Sequence, residues 1–242
     1  FWETYEYSEI FQSLEKANLF LRENKLQENK DDFPSESTIE TKQSNNESQE
    51  QISDLLEGAN DSILSDTSTL DQSFEDFAKQ NPLYALLYPN VNQQNGQLNK
   101  GPVVGFCAIK DTSDLNKYLN DETIRNFFPI DVKFAYTVQS SGVEGNLLQL
   151  VALKSDRNGI SAMQGDVVTD AEQTFSQLGS FAEVSMTMNA EGAKQWKRLT
   201  FENIEKSIAI VLDGYVYSFS NCTIGDFRWS IPNLSLIHIY EP

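Results

Sequence analysis

Between Val184 and Ser218 the chain reads V-S-M-T-M-N-A-E-G-A-K-Q-W-K-R-L-T-F-E-N-I-E-K-S-I-A-I-V-L-D-G-Y-V-Y-S, and three backbone geometries follow one another there. Val184, Met186 and Met188 alternate with Glu183, Ser185 and Thr187, the period of a strand with one buried face. Asn189 stands where a helix N-cap belongs, and Glu191 complements the positive end of the helix dipole. Ala193, Trp196 and Leu199 then recur at helical spacing. Ser207 to Leu212 is a second apolar strand. Asp213-Gly214 tolerates the positive φ that a two-residue hairpin loop needs, and Tyr215 to Tyr217 begins the return. Strand, helix, strand and hairpin in this order predict an α+β fold. The expected form is a mixed or antiparallel sheet with helices packed on one face, built from ferredoxin-like β-α-β elements.

The preceding residues divide into contrasting stretches. Phe1 to Tyr7 reads as the end of a strand. Ser8 to about Asn29 reads as an amphipathic helix with Ile10, Leu14, Ala17 and Leu21 on one face, widened by Phe11. Residues 30–73 are polar, acidic and poor in aromatics, with Lys30 and Lys42 the only basic residues. Such a composition buries too little apolar surface to offset its ordering entropy, which predicts a disordered acidic insertion. Order is expected again from 74 to 218. Phe77, Leu83, Leu86 and Leu87 suggest a docking helix interrupted by Pro82 and stopped by Pro89. Val103 to Ile109 is a strand, Asp111 starts a helix, and Val132, Phe134, Tyr136 and Val138 alternate as another strand. Leu147 to Leu153 follows as an apolar strand.

Composition excludes several roles. The net charge of −18 over 242 residues opposes binding to nucleic acid and to anionic lipid headgroups. No run approaches the roughly 20 apolar residues of a membrane helix. Two cysteines are too few for a disulfide framework, and Cys107, inside an apolar run, reads as a small buried hydrophobe.

The sequence nominates no chemistry. It holds no phosphate-cradling glycine loop, HExxH helix, CxxC pair or GxSxG elbow. Asp166 and Asp170 lack a third acidic partner at calcium-loop spacing and read as turn and capping carboxylates. Asp111, Asp114, Asp121 and Glu122 read as the cap and solvated face of one helix. The sequence therefore offers no catalytic, cofactor-binding or metal-ligating residues. Trp196 shares the apolar face with Ala193 and Leu199 and reads as core. Tyr215 and Tyr217 alternate with Val216, so one face of that strand carries both rings. With Phe201 they are the expected contact residues for a partner or substrate. Two broader alternatives are a secreted acidic surface-binding module and a hydrolase, the latter requiring converging carboxylates in a cleft.

Five islands in register carry a family resemblance. They are F-W-E-T-Y at Phe1, N-P-L-Y-A-L-L-Y-P from Asn81 to Pro89, G-P-V-V-G from Gly101 to Gly105, G-D-V-V-T-D-A from Gly165 to Ala171, and M-N-A-E-G-A-K-Q-W with I-A-I-V-L-D-G-Y-V-Y-S. Together they resemble the SecD and fused SecDF subunits of protein export, in their Bacteroidetes-type form, over the first large periplasmic domain. The resemblance implies a non-enzymatic part without cofactor at the periplasmic face of the bacterial inner membrane. It implies contact with an exported unfolded polypeptide, and SecF (or a fused SecF half), the SecYEG channel and a YajC-like subunit as partners. Energy would come from proton flow through membrane helices and relay residues that this sequence does not contain. Residues 1–29 would then be the end of a base strand plus an entry helix, and 74–218 the head.

Past Ser218 the family pattern stops. Back-translating Ser220 to Leu234 and reading one base later permits P-T-V-Q-S-E-I-S-D-G-R-S-Q-I, which resembles the family's continuation. The closing L-S-L-I-H-I-Y-E-P resembles a translated sequencing adapter. Residues 219–242 are accordingly expected to be a frameshifted, adapter-derived tail, which leaves Cys222, Trp229 and His238 without functional weight.

Overall fold

The computed structural model describes residues 1–28, 76–92, 94–141, 145–175, 182–222, 228–229 and 237–240. Strands β1 (Trp2–Thr4), β2 (Leu87–Pro89), β3 (Val103–Ala108), β4 (Val132–Ser141), β5 (Leu147–Lys154), β8 (Ser207–Leu212) and β9 (Tyr215–Asn221) form one sheet in the order β1-β8-β9-β4-β5-β3-β2. An additional β1–β5 pairing, Glu3 opposite Lys154 and Thr4 opposite Leu153, closes β1, β8, β9, β4 and β5 into a ring. Its weakest joint is β4–β9, a parallel contact with the single pair Thr137–Val216. A second sheet contains β6 (Val168–Phe175) and β7 (Ala182–Met188) as an antiparallel hairpin, with β11 (Ile237–Tyr240) parallel to β7 and β10 (Arg228–Trp229) beyond it.

Curling the sheet gives it an inside and an outside, and the period of two sorts residues between them. Ala135, Val151, Leu153, Ala209 and Val216 point inward with Val103 and form the ring's own core. Ala and Val are small enough for so narrow an interior. The alternate positions face out. Val132, Leu150 and Ala152 meet helix α1 (Tyr7–Glu28), which buries Tyr7, Ile10, Leu14, Ala17 and Leu21. Helices α2 (Thr112–Asn120) and α3 (Glu122–Arg125) add Leu115, Leu119 and Ile124 to the same cluster. On the other flank Ile208 and Ile210 receive Trp196 and Leu199 of helix α4 (Ala190–Glu202), with Met163, Val167, Met188 and Cys222. Helices thus cover the outer face, as the α+β reading expects.

The stretch from Val184 onward folds as its signals require. Asn189 caps α4 by accepting a 2.7 Å hydrogen bond from the Gly192 backbone N–H. Gly192 is needed there, because a Cβ would sit 2.6 Å from Val167 Cβ. Asp213 and Gly214 have φ of 51° and 83°, the left-handed conformations of a tight hairpin loop.

Three expectations change. Leu87 lies in β2, paired with Cys107, rather than in a docking helix. Pro82 has no N–H for a helical ladder, so the helix over 76–80 gives way to turns and then to a strand. The single helix expected after Asp111 is two. Asp121 breaks it by capping α3, accepting from the Thr123 and Ile124 N–H groups at 2.9 and 3.2 Å. Asp166 lies in a short 3-10 turn and Asp170 inside β6, where no described hydrogen bond makes either a capping carboxylate. β9 runs past Ser218 to Asn221, and a bulge opposite Ile210 and Val211 shifts its alternation and turns Phe219 inward beside Ala209. The acidic insertion expected over 30–73 lies outside the described residues.

The segment that re-enters after the insertion is clamped to α1. The Asn18 side chain donates to Asn81 Oδ1 at 3.0 Å and accepts from the Leu83 N–H at 3.1 Å. Leu83 and Leu87 then join the α1 core.

Candidate interaction surface

Helical cover on the outer face is incomplete. α1 and α2 protect β5 and the start of β4, and α4 protects β8 up to Ile210. Between them the β8–β9 hairpin and the adjoining turn of β4 leave Leu212, Tyr215, Tyr217 and Val138 exposed at 54%, 50%, 49% and 46%. The register explains their company. Leu212 pairs directly with Tyr215, so both point outward when Val211 and Val216 point in. Tyr217 is the extra residue of the bulge and stays on the outer side. Val138 follows Thr137, the residue that joins β4 to β9. At this point β4 is itself irregular: its pairing with β5 jumps between Tyr136 and Ser140, and Thr137 Oγ1 accepts from the Gln149 N–H.

Tyr215 and Tyr217 therefore share one surface, as the alternation with Val216 predicts. Phe201 does not visibly join them. It is 75% exposed on α4 and lies about 140° around the helix from Trp196 at 100° per residue, so it faces away from the sheet. Leu212 and Val138 were not nominated from sequence. Leu212 ends an apolar run and reads there as core, and Val138 continues a clean alternation that the β4 irregularity breaks.

A polar pocket of about 180 Å³ lies where β1, the end of β5 and α4 meet. Glu3, Lys154, Arg198 and Glu202 line it, and Glu3 Oε1 accepts from Asn203 Nδ2 at 2.9 Å. Acids and bases are mixed there, Glu3 and Glu202 beside Lys154 and Arg198. Titrating groups elsewhere are shifted by burial and by local hydrogen bonds. Burial raises the Tyr7 and Tyr84 phenols well above their ordinary value, with the Glu15 carboxylate adding to both. Asp156 is lowered, chiefly by the Ile160 backbone N–H that it accepts across a turn. Among the described residues no three His, Cys, Asp or Glu side chains gather as metal ligands, and no helix is long and apolar enough to cross a membrane.

Comparison with known proteins supplies what this geometry lacks. Residues 149–224 match the family model described as SecDF, P1 head subdomain. Over 174 residues, 69% of this chain and 26% of the relative, the chain is 33% identical to the protein translocase subunit SecD of Rhodothermus marinus. The chain belongs to the SecD/SecDF family. It is also 41% identical over 66 residues to SecDF of Thermus thermophilus, covering 27% of this chain and 9% of that one. SecD of Elusimicrobium minutum matches at 40% over 74 residues, 28% of this chain and 16% of the relative. The chain thus spans about a quarter or less of the relatives it matches. No solved structure matches it. The head subdomain begins within β5 and ends just past Cys222, so it contains the β6–β7 hairpin of the second sheet, α4, the β8–β9 hairpin and both tyrosines. Its matched range passes Ser218 by six residues, as β9 passes it by three.

Proposed function

We propose that this chain is an extracytoplasmic part of a SecD/SecDF-type accessory subunit, working at the periplasmic face of the bacterial inner membrane. In this reading it touches an unfolded polypeptide as that chain leaves the SecYEG channel. SecF or a fused SecF half, and a YajC-like subunit, complete the assembly. Proton flow through membrane helices elsewhere in the subunit supplies the energy, and the head performs no bond chemistry. Residues 149–224 provide the head, and Tyr215, Tyr217 and Phe201 are its contact residues, joined by Leu212 and Val138.

The observation that carries the reading is the uncovered apolar strip, of which Leu212, Tyr215 and Tyr217 lie inside the head match and Val138 on the adjoining β4. A sheet face otherwise roofed by helices leaves four large apolar side chains in water at one place, which marks an interaction site more often than chance. The test is photocrosslinking from Tyr215, Tyr217 and Phe201 to an export substrate stalled in membrane vesicles that hold the assembled channel. Adducts at these positions support the role. No adduct from any head position refutes it.

A further inference from the structure

We infer that the strip on β9 takes an extended polypeptide segment carrying lysine or arginine beside apolar side chains. The inference rests on the contact role proposed above and specifies what that contact selects.

Charge complementarity argues for it. Residues 134–153 and 207–222, which supply the strip and the strands around it, contain no Lys or Arg; their acids are Glu144 and Asp213. The two lysines bordering the first of these stretches are already engaged. Lys133 Nζ lies 5.3 Å from the Trp2 ring centre and donates to the Gly159 carbonyl at 2.6 Å, and Lys154 Nζ lies 5.1 Å from the Tyr5 ring centre. Among the described residues no cation stands over Tyr215 or Tyr217. Two half-exposed phenol rings beside Asp213 thus offer a negative π-face and a carboxylate in a chain of net charge −18. Guanidinium and ammonium groups are the complement of such a surface.

Spacing argues that the partner is extended. Tyr215 and Tyr217 lie two residues apart on β9, Tyr217 as the extra residue of the bulge, so their rings project from the outer side at a two-residue interval. Alternate side chains of an extended segment repeat at the same interval, whereas one face of a helix presents them three or four residues apart. Leu212 and Val138 flank the rings and receive apolar side chains next to the cations.

Two 12-residue peptides of identical Leu, Val and Ala content, one with four Arg and one with four Glu, test the inference. They are titrated against the 242-residue chain, with benzoylphenylalanine at position 217 or, as a control, at Lys194. The Arg peptide should bind about tenfold more tightly, the ratio that two exposed cation–π contacts supply. It should label position 217 and not 194, and added salt should reduce the preference. The double replacement Tyr215→Leu with Tyr217→Leu keeps apolar area and should abolish the charge preference. Equal affinity of the two peptides overturns the inference and leaves the contact role standing. No adduct at any head position, with either peptide or with a carboxymethylated unfolded protein, overturns both.

Discussion

Replacing Tyr7 by phenylalanine should make this protein more stable. Tyr7 is fully buried at the start of α1, its ring edge-on to Phe11 at 5.9 Å, and its hydroxyl finds no hydrogen-bond partner among the described residues. A buried hydroxyl left without a partner costs about 1–3 kcal/mol of desolvation. Tyr7→Phe removes that cost and keeps the ring in its packing. It leaves a void of one oxygen, about 10–15 Å³, which at about 24 cal/mol per Å³ returns only about 0.3 kcal/mol. The net expectation is a gain of about 1–2 kcal/mol. In a chain of this size that raises Tm by roughly 2–8 °C. Urea unfolding followed by tryptophan fluorescence should show a higher midpoint at unchanged slope. Tyr7→Ala, which empties the ring site, should lose about 3–5 kcal/mol. A Tyr7→Phe variant that loses 1 kcal/mol or more would refute the reasoning, because it would mean that the hydroxyl is satisfied, for instance by an internal water.

Other perturbations follow from single contacts. Asn189→Ala removes the cap of α4 and should cost about 1 kcal/mol in the same assay, with Asn189→Ser nearly neutral. Gly192→Ala forces a Cβ against Val167 and should cost about 1–3 kcal/mol, relieved in part by Val167→Ala. Cys107 and Cys222 are both buried, so Ellman's reagent should find two thiols per chain only after unfolding. Burial, with Asp111 adding to it, moves the Cys107 thiol from about 9 up to about 11. The folded state therefore favours the protonated form. That contribution is complete below pH 9 and is lost as pH rises through about 11, which a melting series across this range should show. Finally, exchanging residues 30–73 for a linker of about eight Gly and Ser residues, which spans up to ~27 Å, should leave Tm within about 2 °C. The Asn18 clamp and the Leu83 and Leu87 packing already hold both ends of that segment.

Much of the head was legible because its signals are local. The Asn189 cap, the Asp213-Gly214 loop and the 3.6-residue spacing of Ala193, Trp196 and Leu199 each depend on a few neighbouring residues. What escaped depends on partners far away in sequence. β2 reads as helix because the apolar spacing of Leu83, Leu86 and Leu87 is helical, while the strand partner that decides Leu87, Cys107, lies twenty residues on. Ring closure leaves no mark in sequence, since Glu3, Lys154 and Ile208 show nothing that pairs them. The two irregularities that build the strip, at Thr137 and at Tyr217, involve no glycine or proline and so give no warning. The tyrosines were found because alternation alone places them. Leu212 and Val138 needed the observed limits of the helical cover.

The joint made by β1 has a consequence in time. Its three residues are the first of this sequence to be synthesised, yet they pair with β5 about 150 residues later and with β8 about 205 residues later. A growing chain can assemble the β4–β5 and β8–β9 hairpins and dock α4 through short loops. The ring cannot close until nearly all of this stretch has appeared. Loop entropy makes such distant pairings slow, so Trp2 and the open edges of β5 and β8 must wait in water for one another. A domain built this way completes its fold as a late, concerted step, and folding factors that shield strand edges would act on it during that interval.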